Sequence, residues 1–303
     1  MHNKGPLLTS GGVVALALAV AVAAVSVSGP LIAHAAAPTL AIAFWRNALS
    51  LPLLIPAAGL RRRDELRALA GPRRSVGLLC VLAGVLLAGH FMAWVPSTRM
   101  TSIATSTALV STQPVWVGLI ALAMGRRLSK WTWFGIATAV VGAAAATGVD
   151  LAASRTALLG DLLALLGGVL AGFYTVLGER IRATVSTTTY TAVCYGACAV
   201  TILMVCLAAR VPLTGYPAAA WAAIVAVTIG PQLLGHSLFN FSLRRVPATT
   251  VAVLVLLETP GAALLAWVWL HQVPAAAALP GLALLLFGVA VVALKDRRAE
   301  PVT

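Results

Sequence analysis

Apolar residues fill ten runs of this chain, and short polar breaks separate each run from the next. The runs cover residues 11–28, 39–59, 75–95, 101–124, 131–148, 158–178, 187–208, 218–241, 248–270 and 275–294. Each is close to the roughly 20 residues that an α-helix needs to cross a bilayer, and none alternates with the period of two that is typical of a lipid-embedded strand. Because only helices and closed barrels satisfy the backbone in lipid, the pattern predicts an all-α integral membrane protein with ten transmembrane helices.

The composition agrees with this pattern. Hydrophobic residues make up 60% of the 303 residues and charged residues only 10%, whereas soluble proteins average roughly 45–50% and 25%. Ten spans leave loops too short for an ATPase or kinase module, and no glycine-rich loop ending in Lys-Ser or Lys-Thr could hold nucleotide phosphates. The five histidines and four cysteines show no metal-ligand or disulfide spacing. The sequence therefore predicts neither a primary pump nor a metal or other cofactor.

Basic residues concentrate on one predicted side of the membrane. With ten spans both termini share a side, and that side carries 17 basic residues against three, Arg99, Arg155 and Arg210, on the other. The 17 are Lys4, Arg61, Arg62, Arg63, Arg67, Arg73, Arg74, Arg126, Arg127, Lys130, Arg180, Arg182, Arg244, Arg245, Lys295, Arg297 and Arg298. Short loops rich in Lys and Arg stay in the cytoplasm, so we expect a multi-pass protein of the cytoplasmic membrane with both termini inside. The net charge of +13 then requires no nucleic-acid partner.

The amino terminus admits a second interpretation. Lys4, the apolar run 13–27 and the sequence Ala33-His34-Ala35 together resemble a cleavable signal peptide. Cleavage would leave nine spans and would spoil the agreement between span number and charge distribution. We therefore favour a retained first transmembrane helix.

The chain contains an internal repeat. An offset of 146 residues aligns 84–148 with 230–294 without a gap, and uncommon residues recur in register. The pairs are Gly84 with Gly230, Gly89 with Gly235, His90 with His236, Arg99 with Arg245, Pro114 with Pro260, Gly135 with Gly281, and Gly142 with Gly288. The first copy covers spans three to five and the second spans eight to ten, so the unit is five helices and the second unit has the opposite orientation. We expect an inverted-topology repeat with halves 1–150 and 151–294 and a tail 295–303, an arrangement typical of secondary transporters.

Several of these segments resemble a known family. The sequences LVSTQP (109–114) with GRRLS (125–129) and LLETP (256–260) are similar to the paired EamA domains of the drug/metabolite transporter (DMT) superfamily, as are FWR (44–46) and GHSLFN (235–240). The resemblance implies a ten-helix exporter of amino acids or other small metabolites that uses no ATP.

The chain departs from the family at one feature. The acidic residue that the family usually carries after the fourth and ninth spans is Arg126 in the first copy and Gln272 in the second. The role of that acid in relatives is therefore not expected here.

Four ionisable residues lie well inside predicted spans, where such groups are functional candidates by default. Glu258 falls near the midplane, Arg46 and His90 in the outer third, and His236 in the inner third. Glu258 could exchange a proton between alternately exposed sides; the alternatives are a neutral structural acid or a permanent partner of Arg46. The planar guanidinium group of Arg46 suits a substrate carboxylate. Its side chain could equally extend towards the membrane surface or pair with another residue inside the bundle.

Further residues could line a solute pathway. His90 and His236 each follow a glycine, with Trp94 and Asn240 one helical turn further on, and Trp45 precedes Arg46. These aromatic and amide groups suit a modest organic solute. The alternatives are buried histidines bound to backbone carbonyls and tryptophans of an interfacial belt.

Two prolines are predicted to break helices at the same depth. Pro114 and Pro260 lie in mid-span and each removes a helical hydrogen bond, which frees carbonyls that need a new partner in lipid. Thr112 and Gln113 flank the first break, and Glu258 and Thr259 flank the second. The breaks either deliver polar atoms to a pathway or are plain structural kinks.

The pattern favours a secondary active exporter of amino acids or other small metabolites, with protons as the coupling partner. The alternative is a membrane enzyme acting on lipid head groups, which would need polar catalytic residues clustered at one interface. The ionisable residues are instead spread through the depth of the membrane, so we expect a transporter and not an enzyme.

Overall fold

The computed structural model describes residues 10–101, 103–147, 154–261, 264–265, 276 and 279–296. The end of the ninth predicted span lies outside these residues, as do Lys4, Trp267, Trp269, Gln272, Arg297 and Arg298. The described residues fold as a helical bundle.

The helices follow the predicted runs closely. In chain order they are α1 (Ser10–Ser26), α2 (Ser28–His34), α3 (Thr39–Ala48), α4 (Leu51–Arg61), α5 (Arg63–Ala70), α6 (Arg74–Met100), α7 (Ile103–Val110), α8 (Gln113–Ala123), α9 (Lys130–Thr147), α10 (Arg155–Arg182), α11 (Thr187–Ala208), α12 (Ala218–Val227), a π-helix (Thr228–His236), α13 (Ser237–Ser242), α14 (Ala248–Val255) and α15 (Leu279–Asp296). Ser154 and Ser186 cap α10 and α11, since each hydroxyl accepts a hydrogen bond from the backbone N–H three residues later.

The number of membrane-crossing segments is roughly consistent with ten spans. Among the residues that the structure describes, seven segments are long and apolar enough to cross a bilayer: Gly11–Ile32, Thr39–Arg61, Arg74–Met100, Thr105–Ala123, Arg155–Arg182, Thr187–Ala208 and Ala218–Ser242. Ala248–Gly261 and Leu279–Leu294 are shorter apolar helices, and α9 has 18 residues. Each coincides with a predicted run, so the prediction of an all-α membrane protein is confirmed.

The last helix of each repeat, α9 and α15, cross each other in antiparallel directions at glycines. A Cβ atom added to Gly142 would lie 2.8 Å from the carbonyl oxygen of Gly281, and one added to Gly288 would lie 2.6 Å from that of Gly135. Gly135 and Gly142 are the sequence equivalents of Gly281 and Gly288, so exchanging the two helices reproduces the same contacts. This two-fold relation is the one that an inverted repeat requires.

The centre of the bundle forms where α6 packs between α10 and α11. Gly84 lets α6 approach α11 so closely that an added Cβ would lie 2.3 Å from the carbonyl oxygen of Cys194, and Gly167 lets α10 approach Trp94. Large apolar side chains on the outside, such as Leu162 and Leu207, remain more than half exposed. They form the lipid-facing surface, because lipid tails are as apolar as leucine.

Loops that were predicted to share a side of the membrane contact one another. Arg126 pairs with Glu179, and Arg73 donates a hydrogen bond of 2.8 Å to the hydroxyl of Thr184. We call this side, formed by residues 61–74, 124–130, 179–189 and 242–246, the arginine-rich face. On the opposite face, Arg99 donates to backbone carbonyls that precede α3.

Several spans are interrupted near the middle of the bundle. α7 ends at Val110 and α8 begins at Gln113, while α14 ends at Val255 and a helical segment resumes at residue 258. Pro114 therefore lies in the first turn of a helix, where its missing N–H is tolerated. The eighth span contains a further interruption that the sequence analysis did not predict, the π-helix with Pro231 inside it. Residues next to these breaks, including Gln113, His236 and Glu258, face one cavity at the centre of the bundle.

Candidate functional site

The interrupted helices surround a central cavity of about 80 Å³. Its polar lining residues are Ser28, Arg46, His90, Trp94, Ser111, Gln113, Tyr174, Thr175, His236, Asn240 and Glu258. Apolar residues of α1, α7, α10, α13 and α14 also line it. Ligand pockets usually measure roughly 300 Å³ or more, so this cavity is smaller than a typical ligand pocket.

Arg46 is the most deeply buried charge at the cavity, with 1% of its surface exposed. Its Nε donates a hydrogen bond of 2.8 Å to Oε1 of Gln232, and its guanidinium carbon lies 4.1 Å from the ring centroid of Phe91. Gln232 in turn donates to Asn47. The Nη1 atom of Arg46 is buried and has no hydrogen-bond partner among the described residues. Arg46 therefore connects α3 to the π-helix and keeps one unused donor.

Glu258 lies in the first turn after the break that follows α14, and it faces the same cavity. Its charge and that of Arg46 attract each other. Across the part of the chain that the structure describes, the ion pairs within 4 Å are Arg67 with Asp64 and Arg126 with Glu179. Arg46 and Glu258 thus share the cavity without a direct salt bridge.

His90 and Trp94 form one wall of the cavity from α6. The Nδ1 atom of His90 donates a hydrogen bond of 2.9 Å to the carbonyl oxygen of Gly167, because a carbonyl can only accept. The imidazole stacks on Trp94 with centroids 5.7 Å apart and an interplanar angle of 10°. Trp94 Nε1 is buried and, among the described residues, has no acceptor. Trp94 therefore brings a second unused donor to the cavity.

His236 lies at the end of the π-helix, across the cavity from α6. Its ring contacts Phe91 edge to face, with centroids 5.4 Å apart, and lies 6.3 Å from the ring of Tyr174. The two repeat-related histidines thus meet the same cavity from opposite halves.

Asn240 belongs to a buried polar network that the sequence analysis did not anticipate. Its Nδ2 donates 2.7 Å to the hydroxyl of Tyr174, and it lies 3.4 Å from the hydroxyl of Tyr195, which contacts Ser237. The sequence did contain a signal for this network. Tyr174 and Tyr195 lie within predicted spans, and a buried tyrosine hydroxyl usually has a hydrogen-bond partner.

The remaining predicted site residues fall into two groups. Gln113 lines the cavity and donates 2.9 Å to the hydroxyl of Thr175. Thr112 and Trp45 lie outside the lining that the described residues form: the Thr112 hydroxyl donates to the Leu109 carbonyl, and Trp45 Nε1 donates 2.7 Å to the Leu213 carbonyl. The structure thus brings Arg46, His90, Trp94, Gln113, His236, Asn240 and Glu258 together.

A bundle of apolar helices around a polar cavity defines a multi-pass membrane protein with a central polar site. The sequence matches the EamA-like transporter family over residues 9–148 and over residues 158–294. The chain therefore belongs to the EamA-like transporter family, with two EamA domains, as its motifs predicted. It is a transporter of a small-molecule substrate and not an enzyme.

Solved structures share this fold. A crystal structure of a protein with 21% sequence identity aligns with a TM-score of 0.75 over 95% of this chain and 99% of that chain. No curated protein matches the sequence.

Proposed function

We propose that the protein is a secondary active transporter that exports amino acids or other small carboxylate-bearing metabolites across the cytoplasmic membrane, coupled to protons. The observation that carries this proposal is the pair of unused donors, Arg46 Nη1 and Trp94 Nε1, at the central cavity. A buried donor without an acceptor is unfavourable by about 1–3 kcal/mol. A substrate that supplies an acceptor relieves this penalty and gains binding free energy.

A carboxylate is the acceptor that suits this site best. Arginine binds carboxylates through parallel N–H groups. The Nε atom of Arg46 donates a hydrogen bond to Gln232, whereas its Nη1 atom has no hydrogen-bond partner among the described residues. The ring of Phe91 and the stacked pair of His90 and Trp94 provide apolar and aromatic surface beside it. This combination fits a small amphipathic metabolite.

Glu258 is the proton carrier in this proposal. It is the acidic side chain among the residues that line the cavity in the described chain, and it lies near Arg46 without pairing with it. A carboxyl that is exposed to one side and then to the other can load and release a proton in each cycle. A substrate carboxylate beside Arg46 also changes the charge that Glu258 experiences, which couples the two events.

Alternating access follows from the two halves, for which we propose the boundaries 1–150 and 151–294 with a tail 295–303. Arg46 belongs to the first half, while His236, Asn240 and Glu258 belong to the second, so relative movement of the halves opens the cavity to one side at a time. We place the arginine-rich face and both termini in the cytoplasm.

Transport by purified protein in liposomes tests the proposal. Uptake from a panel of radiolabelled amino acids is measured with and without an imposed pH step. The wild type is expected to accumulate at least one substrate only when the pH step is present. Glu258→Gln is expected to lose this pH-driven accumulation while the folded protein remains in the membrane.

Asp64→Asn is the matched control, because Asp64 is a fully exposed carboxylate on α5. It is expected to transport as the wild type does. Undiminished pH-driven transport by Glu258→Gln would remove Glu258 from the mechanism.

A further inference from the structure

A second cavity, of about 330 Å³, opens on the arginine-rich face. We call it the arginine cavity; it is lined by Arg62, Arg182, Ser186, Thr187, Thr188, Phe241, Arg244 and Arg245. It shares no lining residue with the central cavity. Arg62 comes from the first half of the chain and the other lining residues from the second.

The charge of this cavity is unusually one-sided. Four of its eight lining side chains are guanidinium groups, and no acidic side chain lies among the described residues that line it. Arg182 and Arg244 lie close enough for their charges to repel. Like charges gathered around a cavity destabilise the fold unless a counter-charge arrives, so the arrangement favours a bound anion.

Arg182 supplies a rigid wall for such an anion. Only 2% of its surface is exposed, and its three nitrogens donate to the carbonyl oxygens of Asn240 and Val185 and to the hydroxyl of Thr187. These contacts hold the charge at the base of the cavity. Arg62 and Arg244 are exposed and can close over a ligand from the rim.

The start of α11 forms a further part of the cavity wall. Ser186, Thr187 and Thr188 line the cavity at the N-terminus of this 22-residue helix. A helix N-terminus carries partial positive charge and backbone N–H groups that favour an anion. The carboxylate of Glu65 accepts hydrogen bonds from the backbone N–H and the hydroxyl of Ser186 and from the hydroxyl of Thr189, and so meets part of this positive charge. Its charge also reaches Arg62 and Arg182, but Glu65 does not line the cavity.

We propose that the arginine cavity is a binding site for a phosphate group, separate from the transport site. Guanidinium forks, hydroxyls and a helix N-terminus are the groups that recognise phosphate oxygens. Basic pockets between transmembrane helices on the cytoplasmic side bind anionic lipid head groups, and free phosphate presents the same oxygens. A phosphate bound here connects Arg62 of one half to Arg244 of the other.

Binding by the full-length protein in detergent tests this site. Inorganic phosphate and short-chain phosphatidylglycerol are titrated separately at constant ionic strength, with chloride and short-chain phosphatidylcholine as blanks. Dissociation constants are taken from calorimetry and from the rise in the thermal unfolding midpoint. The wild type is expected to bind at least one of the two phosphate-bearing probes and neither blank. Binding of both probes assigns the site to the phosphate group itself, and binding of phosphatidylglycerol alone assigns it to a lipid head group; either result supports the site.

The variant Arg62→Gln with Arg244→Gln is expected to weaken this binding by about tenfold or more, since each lost charge-assisted contact reduces affinity severalfold. The matched control is Arg61→Gln with Arg74→Gln, which removes two exposed charges from the same face outside the cavity lining. The control is expected to bind within about twofold of the wild type.

A second variant, Arg244→Lys, keeps the positive charge but removes the planar guanidinium group. It tests the site even if the double variant fails to fold. Its affinity is expected to fall by about threefold or more. No binding of either probe by the wild type would overturn the proposal. Equal loss in the control and in the double variant would also overturn it, because the effect would then reflect general surface charge.

Discussion

At the residue scale, Glu65 shows how a single side chain connects the two halves. It lies on α5 in the first half, and its carboxylate accepts hydrogen bonds from the backbone N–H of Ser186 at 2.8 Å and from the hydroxyl of Thr189 at 2.6 Å, both at the start of α11. Burial raises the pKa of Glu65, but these hydrogen bonds lower it by more, and the pKa lies below its usual value.

The lowered pKa gives stability a definite pH dependence. A carboxyl with a depressed folded-state pKa stabilises the fold above its unfolded pKa of about 4.3, and this contribution disappears as pH falls through the folded value. We expect Glu65→Gln to lower the unfolding midpoint at pH 7 and to flatten the loss of stability below about pH 5. Thermal unfolding in detergent between pH 7 and pH 3 measures both effects.

Asp64→Asn is the control for this experiment. Asp64 neighbours Glu65 but is fully exposed, and its contact with Arg67 is 3.8 Å long. It should leave the midpoint and its pH dependence unchanged. If the unfolding midpoint of Glu65→Gln fell with decreasing pH as steeply as that of the wild type, the role given to Glu65 would be contradicted.

At the scale of elements, the crossing of α9 and α15 depends on close backbone packing at glycines, beside apolar side chains such as that of Val292. An added Cβ at Gly142 would lie 2.3 Å from the backbone nitrogen of Leu285, a distance that forces the helices apart. Small residues permit such close approach between transmembrane helices, where van der Waals packing drives association.

Gly142→Ala is therefore expected to lower the unfolding midpoint, with a loss of about 1–3 kcal/mol, as is typical of overpacking. The matched control is Gly196→Ala on α11, where an added Cβ would meet nothing within 4 Å. There alanine should be neutral or stabilising by about 1 kcal/mol through its higher helix propensity. Equal midpoints for the two variants would show that the glycine contact does not hold the helices together.

At the scale of the whole molecule, the inverted repeat predicts the sidedness of equivalent loops. Residue 64 follows the second span of the first half and residue 210 follows the second span of the second half. Both positions are exposed, and the native cysteines at 80, 194, 198 and 206 are buried, so background labelling should be low.

We expect an impermeant maleimide to label Arg210→Cys on intact cells and to label Asp64→Cys only after permeabilisation. Each half carries an odd number of crossings, so equivalent loops lie on opposite sides of the membrane. Labelling of both positions from the same side would mean that the halves are not inverted.

The sequence predicted which ionisable residues lie inside the spans, but it predicted neither their common depth nor the direction of neighbouring side chains. Apolar run length put Arg46, His90, His236 and Glu258 at depths from the outer to the inner third, whereas in the structure all four line one cavity. Trp45 was grouped with them because it adjoins Arg46, yet its indole points to Leu213, since successive helical residues diverge by about 100°. Gln232 and the π-helix were missed, although Gly230-Pro231 in mid-span was the available signal.

The link between Arg46 and Gln232 has a consequence for energy transduction. One planar cation is anchored along one edge to the opposite half, while one of its corners stays vacant. In the proposed transport cycle, a cargo carboxylate that accepts a hydrogen bond at the vacant corner partly neutralises the same delocalised cation and so weakens the hydrogen bond of Arg46 to Gln232. If the proposed function holds, substrate binding at Arg46 would change the contact between the two halves through this single side chain, and binding itself would then control when the halves move.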